Sequence, residues 1–236
     1  MERSRAINLP PVVVWLAVAL IGVHVLRQFL DPDQDEWLLL AFAFIPDRYS
    51  SFVDALPGGV AARFWSPVTY AFLHADFVHL LVNLIWMASF GAALANRFEA
   101  VRFLIVALAS TVAGAAAHYA AHSAEGGIVI GASGAVSGMM AATARFAFSP
   151  GGPLSGRVTA ASYHVPAEPI LAALRNPRAL AFVLVWFGVN LLFGLTGGLG
   201  ANVSGGIAWE AHIGGFLAGL IGFSLLDPAP RDRPAG

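Results

Sequence analysis

The sequence predicts an all-α membrane protein: a bundle of six transmembrane helices with a first outer loop embedded in the membrane. Of its 236 residues, 58% are hydrophobic and 11% are charged, whereas soluble domains usually carry about 25% charged residues. The apolar residues gather into segments of roughly the length that crosses a bilayer as a helix. The net charge of −1 argues against a nucleic-acid partner, and the absence of cysteine excludes disulfides and thiol catalysis.

Six apolar segments define the predicted spans, which are residues 11–30, 78–94, 103–122, 128–148, 179–197 and 206–226. A cleaved signal peptide is the alternative for the first segment. That segment is longer than a typical signal core, and Asp31, Pro32 and Asp33 follow it instead of a small-residue cleavage site. We therefore predict a short cytoplasmic N-terminus over 1–10, a transmembrane domain over 11–226 and a cytoplasmic tail over 227–236.

The placement of arginine predicts the orientation, because basic residues concentrate in cytoplasmic loops. With cytoplasmic termini, ten of the 13 basic residues lie inside, and only Arg27, Arg48 and Arg63 lie outside. The long first connection and the start of the fourth span then face outward. Both ends of an even number of spans lie on the same side of the membrane.

Two connections carry structure of their own. The outer one contains an apolar stretch over 37–44, too short to span, which we expect at the membrane interface with Trp37, Tyr49 and Trp65 as anchors. A turn is predicted at 57–59. The connection over 149–178 is rich in glycine and proline, and we expect it to be irregular with a short helix near Ile170.

Polar side chains inside the spans are costly in lipid and therefore mark functional positions. His79 and Asn83 lie four residues apart and share a helix face, as do Ser133 and Ser137, while His212 stands in the last span. With the predicted orientation, all of them fall in the outer half of the membrane. His74 precedes the first pair.

Small residues line the fourth and sixth spans and favour close helix packing. These ladders are Gly134, Gly138 and Ala142 in one span and Ala211, Gly215 and Gly219 in the other. A serine and a histidine beside such a seam form a nucleophile and a general base. His79, Asn83 and the Ser133 N–H group could then stabilise an oxyanion.

Other interpretations of these side chains stay open at this point. His79 and Asn83 could be an interhelical hydrogen-bond pair, and His212 could relay protons in a transporter. A zinc site from His74, His79 and His212 lacks an HExxH pattern and a carboxylate base. The remaining histidines (His24, His118, His122 and His164) are expected to be interfacial or solvated without a role, and Glu210 to lie at the outer rim.

Three motifs together resemble the rhomboid intramembrane serine proteases, of bacterial type, from Trp37 to Leu226. Gly131-Ala132-Ser133-Gly134 resembles the family's GxSG motif, with Ser133 as nucleophile. His212 in Ala211-His212-Ile213-Gly214-Gly215 resembles its general base. His79 and Asn83 resemble its HxxxN oxyanion pair, and His74 resembles the additional histidine before that pair. The same resemblance assigns Gly131 and the Ser133 N–H to the oxyanion region. It assigns Gly134, Ser137 and Gly215 to positions that support the site.

The resemblance implies a Ser–His dyad in a water-filled cavity, roofed by the fifth span and the loop over 199–205. It implies cleavage of single-span membrane proteins near the outer end of their helices, within the bilayer and without a metal or another cofactor. We expect a multi-pass protein of the bacterial inner membrane, and a homo-oligomer is left open. A catalytically silent relative that binds membrane clients is the alternative within this family.

Two positions depart from the family pattern. Ser66 follows Trp65 where the family has a Trp-Arg pair in the outer loop. Ser137 stands where many relatives have an aromatic residue that stacks on the catalytic histidine. We expect His212 to be oriented by the Ser137 hydroxyl or by an aromatic such as Phe216.

Overall fold

The computed structural model describes residues 9–49, 56–123, 127–196 and 208–228, and of residues 193–196 only the backbone. Most of the predicted terminal segments, 1–10 and 227–236, and the predicted roof over 199–205 lie outside these ranges. The helices of the described chain are α1 Pro11–Arg27, α2 Pro32–Phe42, α3 Ala62–Thr69, α4 Phe77–Trp86, α5 Ala92–His122, α6 Ser133–Ala147, α7 Ile170–Arg175, α8 Pro177–Thr196 and α9 Trp209–Leu226. The prediction of an all-α fold is confirmed.

A kink at Glu99 separates the second predicted span from the third. Helix α4 runs through a π-helical turn, Met87–Gly91, into α5, which is interrupted where Glu99 takes φ 61° and ψ 178°. A non-glycine residue at positive φ is uncommon and is held by its surroundings. Close by, Arg97 pairs with Asp227 at 2.8 and 3.0 Å, which ties this end of the helix to the end of α9.

Two helices of the described chain are long and apolar enough to cross a membrane. They are Phe77–His122, with 46 residues including the kink, and Trp209–Leu226, with 18. Helix α1 is apolar but shorter, with 17 residues, and α8 is apolar over Pro177–Leu192. The number of spans therefore stays a prediction.

Helix α6 is the centre of the bundle and is shorter than the predicted span over 128–148. Its 15 residues extend about 22 Å, and every residue after Ser133 is buried. The residues before Ser133 are not helical. Since the other helices shield α6, it need not reach both membrane faces, and its first residue can lie within the membrane.

Glycine lets α5, α6 and α9 approach each other closely. A Cβ added to Gly215 would collide with the Gly134 backbone, and one added to Gly219 would collide with the Gly138 backbone. A Cβ on Gly114 of α5 would lie 2.8 Å from the Ala211 carbonyl oxygen. The predicted contact between the two small-residue ladders is confirmed.

The outer loop is packed into the protein more deeply than an interfacial segment would be. Helix α2 begins with a capping box between Asp31 and Gln34, and the chain after it is buried. Phe44 pairs with Val129 through two backbone hydrogen bonds of 3.1 and 2.9 Å. The Trp65 indole donates to the Ala41 carbonyl at 2.9 Å, so it anchors the loop to itself.

Two smaller predictions about the connections are also confirmed. Gly58 and Gly59 have φ angles of +82° and +52°, which form the predicted turn at 57–59. Helix α7 is the short helix expected near Ile170. The irregular chain around it is fixed by Arg145, which donates to the Glu168 carbonyl at 2.8 Å.

The close contact between α9 and α6 gives a stability prediction. Gly219→Ala places a methyl group against the Gly138 backbone, which cannot move aside as a side chain can. We expect a loss of roughly 1–3 kcal/mol of unfolding free energy, measured by thermal or denaturant unfolding in detergent.

Gly222→Ala, on the same helix, is the matched control for this change. A Cβ at Gly222 meets nothing within 4 Å, and alanine favours a helix over glycine by up to about 1 kcal/mol. Gly222→Ala should therefore keep or slightly raise the stability. Equal stabilities of the two variants would contradict the packing analysis.

Candidate active site

Ser133 is the first residue of α6, at the end of the helix where backbone N–H groups lack helical partners. The preceding residue, Ala132, provides no side-chain cap. The N–H groups of the first turn therefore remain available, and the helix dipole is positive there. The approach to the helix is fixed by two bonds: Gly131 N–H donates to the Tyr70 carbonyl at 2.9 Å, and Ala132 N–H donates to Nε2 of His74 at 3.4 Å.

Ser133 Oγ lies 2.7 Å from Nε2 of His212, which is hydrogen-bond distance. The two side chains are 79 residues apart in sequence, and the close packing of α6 on α9 brings them together. His212 lies in the first turn of α9, because this helix begins at Trp209.

Asn190 on α8 contacts the other ring nitrogen of His212, Nδ1, through its amide oxygen Oδ1. The Asn190 amide nitrogen donates to the Trp186 carbonyl at 2.7 Å, which fixes the amide orientation. An amide oxygen only accepts hydrogen bonds, so Nδ1 of His212 carries the proton. Nε2 is then the free acceptor that faces the Ser133 hydroxyl.

The sequence reasoning missed Asn190, although a signal was available. An amide in the middle of an apolar span is as costly as the histidines of the predicted spans. The expected partners of His212 have other roles. Ser137 Oγ donates to the Ser133 carbonyl at 2.6 Å, and Phe216 stacks on Trp186, whose ring centroid lies 6.2 Å from that of His212.

His79 and Gly131 form the wall beside the serine. Gly131 has a φ of +116°, and a Cβ there would lie 2.6 Å from Nε2 of His79. Only glycine therefore combines this backbone with the close approach of the imidazole. The ring of His79 packs edge-on against buried His74, with centroids 5.0 Å apart.

Asn83 is buried one turn further along α4. Its amide nitrogen donates to the His79 carbonyl at 2.9 Å, and a second amide hydrogen remains on this nitrogen. Of the predicted site residues, the structure gathers His74, His79 and Gly131 around Ser133 and His212. Gly134, Ser137 and Gly215 lie on the seam beside them.

Buried Arg48 holds the outer loop, in which Ser66 interrupts the expected Trp-Arg pair. Its guanidinium donates to the Pro57 carbonyl at 2.9 Å and also contacts the Leu40 carbonyl. Arg48 therefore stabilises the loop through its carbonyl groups, although it does not occupy the position of the family's arginine.

Two of the histidines expected to be interfacial or solvated are buried. His24 is 8% exposed and His118 is 7% exposed. Glu210, expected at the outer rim, has a side chain only 12% exposed and lies 2.9 Å from His122. The burial of His118 and Glu210 could not be predicted from the sequence, because it arises where the end of α5 packs against the start of α9.

A cavity of about 390 Å³ opens between α8 and α9 beside His212. Most of its lining is apolar, and His212 and Asn190 are among its polar residues. The lining residues are Leu184, Trp186, Phe187, Gly188, Asn190, Leu191, Trp209, His212 and Ile213. The imidazole can therefore be reached from the α8 side of the bundle.

Comparison with known protein families agrees with this arrangement. The Rhomboid domain matches residues 61–227, from the outer loop to the end of α9. The chain belongs to the rhomboid family. A related protein of this family, Rhomboid-like protease 3 of Toxoplasma gondii, is 29% identical over 106 residues. That match covers 43% of this chain and 36% of the relative, so the chain spans about a third of the relative's length.

Because the chain belongs to the rhomboid family, its all-α bundle lies in a membrane. Its described outer surfaces agree with this, because apolar side chains point outward from α4 and α8. Examples are Phe77 and Val78, each 66% exposed, and Val185, also 66% exposed. The protein is an integral membrane protein.

The contact between Asn190 and His212 gives a prediction about reactivity. Asn190→Ala removes the partner of Nδ1, so His212 is less firmly held with Nε2 toward Ser133. One neutral hydrogen bond is worth about 1 kcal/mol, so we expect fluorophosphonate labelling of Ser133 to slow by roughly fivefold.

Asn96→Ala is the matched control for this experiment. The Asn96 amide also bonds to a carbonyl four residues earlier, at 2.9 Å, but it lies in α5 far from Ser133 along the chain. Labelling of the Asn96→Ala protein should proceed at the unmodified rate. A rate for Asn190→Ala equal to that of this control would contradict the assigned role.

Proposed function

We propose that this rhomboid protein is an intramembrane serine endopeptidase with Ser133 as nucleophile and His212 as general base. The observation that carries the proposal is the 2.7 Å contact between Ser133 Oγ and His212 Nε2. The contact of Nδ1 with Asn190 supports it, because it leaves Nε2 unprotonated for the hydroxyl. A half-buried serine and histidine in this tautomer match the geometry of an activated nucleophile.

The reaction follows from this arrangement in two steps. His212 Nε2 takes the Ser133 proton while Oγ attacks the scissile carbonyl carbon, and the imidazolium then gives that proton to the leaving amine. The C–N bond breaks and an ester on Ser133 remains. Water, deprotonated by Nε2, attacks the ester, and Oγ leaves with the proton that His212 returns. Asn190 keeps the ring in place through both steps.

The oxyanion formed in each step would be held at the start of α6. The Ser133 N–H, at the positive end of the helix dipole, is one donor. Nε2 of His79 is a second, since it faces Gly131 on the same side of the serine. Asn83 has one amide hydrogen left after its bond to the His79 carbonyl.

The substrates proposed for this site are single-span membrane proteins. Their helical amides are bonded internally in lipid, so a segment must unwind before its backbone reaches Ser133. The apolar cavity beside His212 suits an unwound apolar segment that enters from the α8 side. Small or helix-destabilising residues near the cleavage site would lower the cost of unwinding.

We also propose that both termini are cytoplasmic and that the active site opens to the outer face, in a bacterial inner membrane. Arginine placement supports this orientation, with ten of 13 basic residues on the proposed inner side. Cleavage would then fall near the outer end of the substrate helix.

A cleavage assay tests the mechanism. Ser133→Ala and His212→Ala should each abolish cleavage of a model single-span substrate reconstituted with the protein in liposomes, because each change removes one partner of the nucleophile–base pair. Each variant should still insert and elute as the unmodified protein does. Tags at the two substrate ends and mass spectrometry of the products report the cleaved bond.

The matched control is Ser89→Ala. Ser89 Oγ, like Ser137 Oγ, bonds to a carbonyl four residues earlier, but it is exposed on the helix surface. This variant should cleave normally. Retained cleavage in Ser133→Ala or His212→Ala would refute the mechanism, and a cut near the cytoplasmic end would refute the orientation. Failure of Ser133 to react with fluorophosphonate would favour a transporter or a silent relative.

The oxyanion assignment gives its own prediction. His79→Ala should lower kcat by roughly 10²-fold, the usual effect of removing one oxyanion donor, with a smaller effect on KM. Cleavage assays that are quenched at fixed times and run at several substrate concentrations measure kcat and KM. A change confined to KM would instead assign His79 to substrate binding.

A further inference from the structure

A second cluster of chemically reactive side chains lies where α5 ends and α9 begins. His118 and His122 are four residues apart on the last turns of α5, with ring centroids 4.7 Å apart. Glu210, in the first turn of α9, lies 2.9 Å from Nε2 of His122 and 3.7 Å from Nδ1 of His118. One ligand atom from each of the three residues lies within 4.8 Å of the others.

His118 is poorly satisfied in this cluster. It is 7% exposed, and neither of its ring nitrogens has a hydrogen-bond partner within 3.5 Å among the described residues. A buried polar group without a partner costs about 1–3 kcal/mol. Such groups in a native fold call for a missing partner, such as an ion. Its 3.7 Å approach to Glu210 is too long for a hydrogen bond.

The residue types in the cluster select the ion. Two imidazoles and one carboxylate form the ligand set of open zinc sites, in which water takes the fourth position. Calcium and magnesium prefer sites built from oxygen ligands alone. The His122 side chain is 29% exposed, which leaves a path for the ion and room for water.

We propose that His118, His122 and Glu210 bind a divalent transition metal of the zinc class. The ion satisfies His118 and neutralises the Glu210 carboxylate in a largely buried place. It also ties the end of α5 to the first turn of α9, two residues before His212. The site uses no residue of the proposed reaction and exists whether or not Ser133 is a nucleophile.

Metal binding to the full-length protein tests the proposal directly. The purified protein in detergent is stripped with a chelator and titrated with Zn²⁺ against a chromophoric competitor. We expect one ion per chain and a thermal unfolding temperature that rises with Zn²⁺ until the site saturates. His122→Ala and Glu210→Gln should each lower the affinity by at least tenfold.

His164→Ala is the matched control, because His164 is an exposed histidine in the connection before α7. It should bind Zn²⁺ as tightly as the unmodified protein. No binding by the unmodified protein, or equal binding by His122→Ala and Glu210→Gln, would overturn the proposal. Loss of binding in His79→Ala with retention in His122→Ala would also overturn it, since the ion would then sit at the active site.

A measurement without variants covers the case in which a substituted protein does not fold. X-ray absorption of the Zn²⁺-loaded, unmodified protein counts imidazole ligands through their multiple scattering. Two imidazoles with oxygen ligands are expected. A site with no imidazole, or with three, would contradict the assignment to His118, His122 and Glu210.

Discussion

The contact of α6 with α9 through glycine is the constraint on which the rest of the structure depends. The backbones meet at Gly134 and Gly215 and again at Gly138 and Gly219, with no room for a Cβ. In lipid, helices are held together by van der Waals packing and hydrogen bonds rather than by the hydrophobic effect. A close seam supplies that packing and brings Ser133 within 2.7 Å of His212. Larger residues here would separate the two side chains together with the helices.

Buried arginines are paired with carboxylates near both ends of the bundle. At one end, Arg97 pairs with Asp227 and donates to the carbonyls of Tyr163 and Val165, each at 2.8 Å. Its guanidinium also lies 4.6 Å from the centroid of the Phe146 ring, a cation–π contact. At the other end, Arg27 pairs with Asp35 at 2.6 Å. These arginines therefore fasten helix ends to loops.

Sequence reasoning predicted the features that depend on local spacing. The pairs four residues apart and the small-residue ladders follow from helical geometry, so the contact between the helices of Ser133 and His212 could be derived. The contact of Asn190 with His212 could not, because it depends on how α8 rotates and tilts beside α9. The burial of His118 and Glu210 likewise depends on where two helices end relative to each other. The start of α6 was placed too early because extended and helical apolar residues look alike in sequence.

The backbone pairing of Phe44 with Val129 has a consequence for the position of Ser133. It joins the outer loop to the short extended segment that leads into α6, and the bond from Gly131 to the Tyr70 carbonyl adds a second tie. A displacement of that loop would also displace Ser133 and lengthen its contact with His212. The loop is therefore part of the rigid frame. Any movement that keeps Ser133 within reach of His212 has to leave this loop in place.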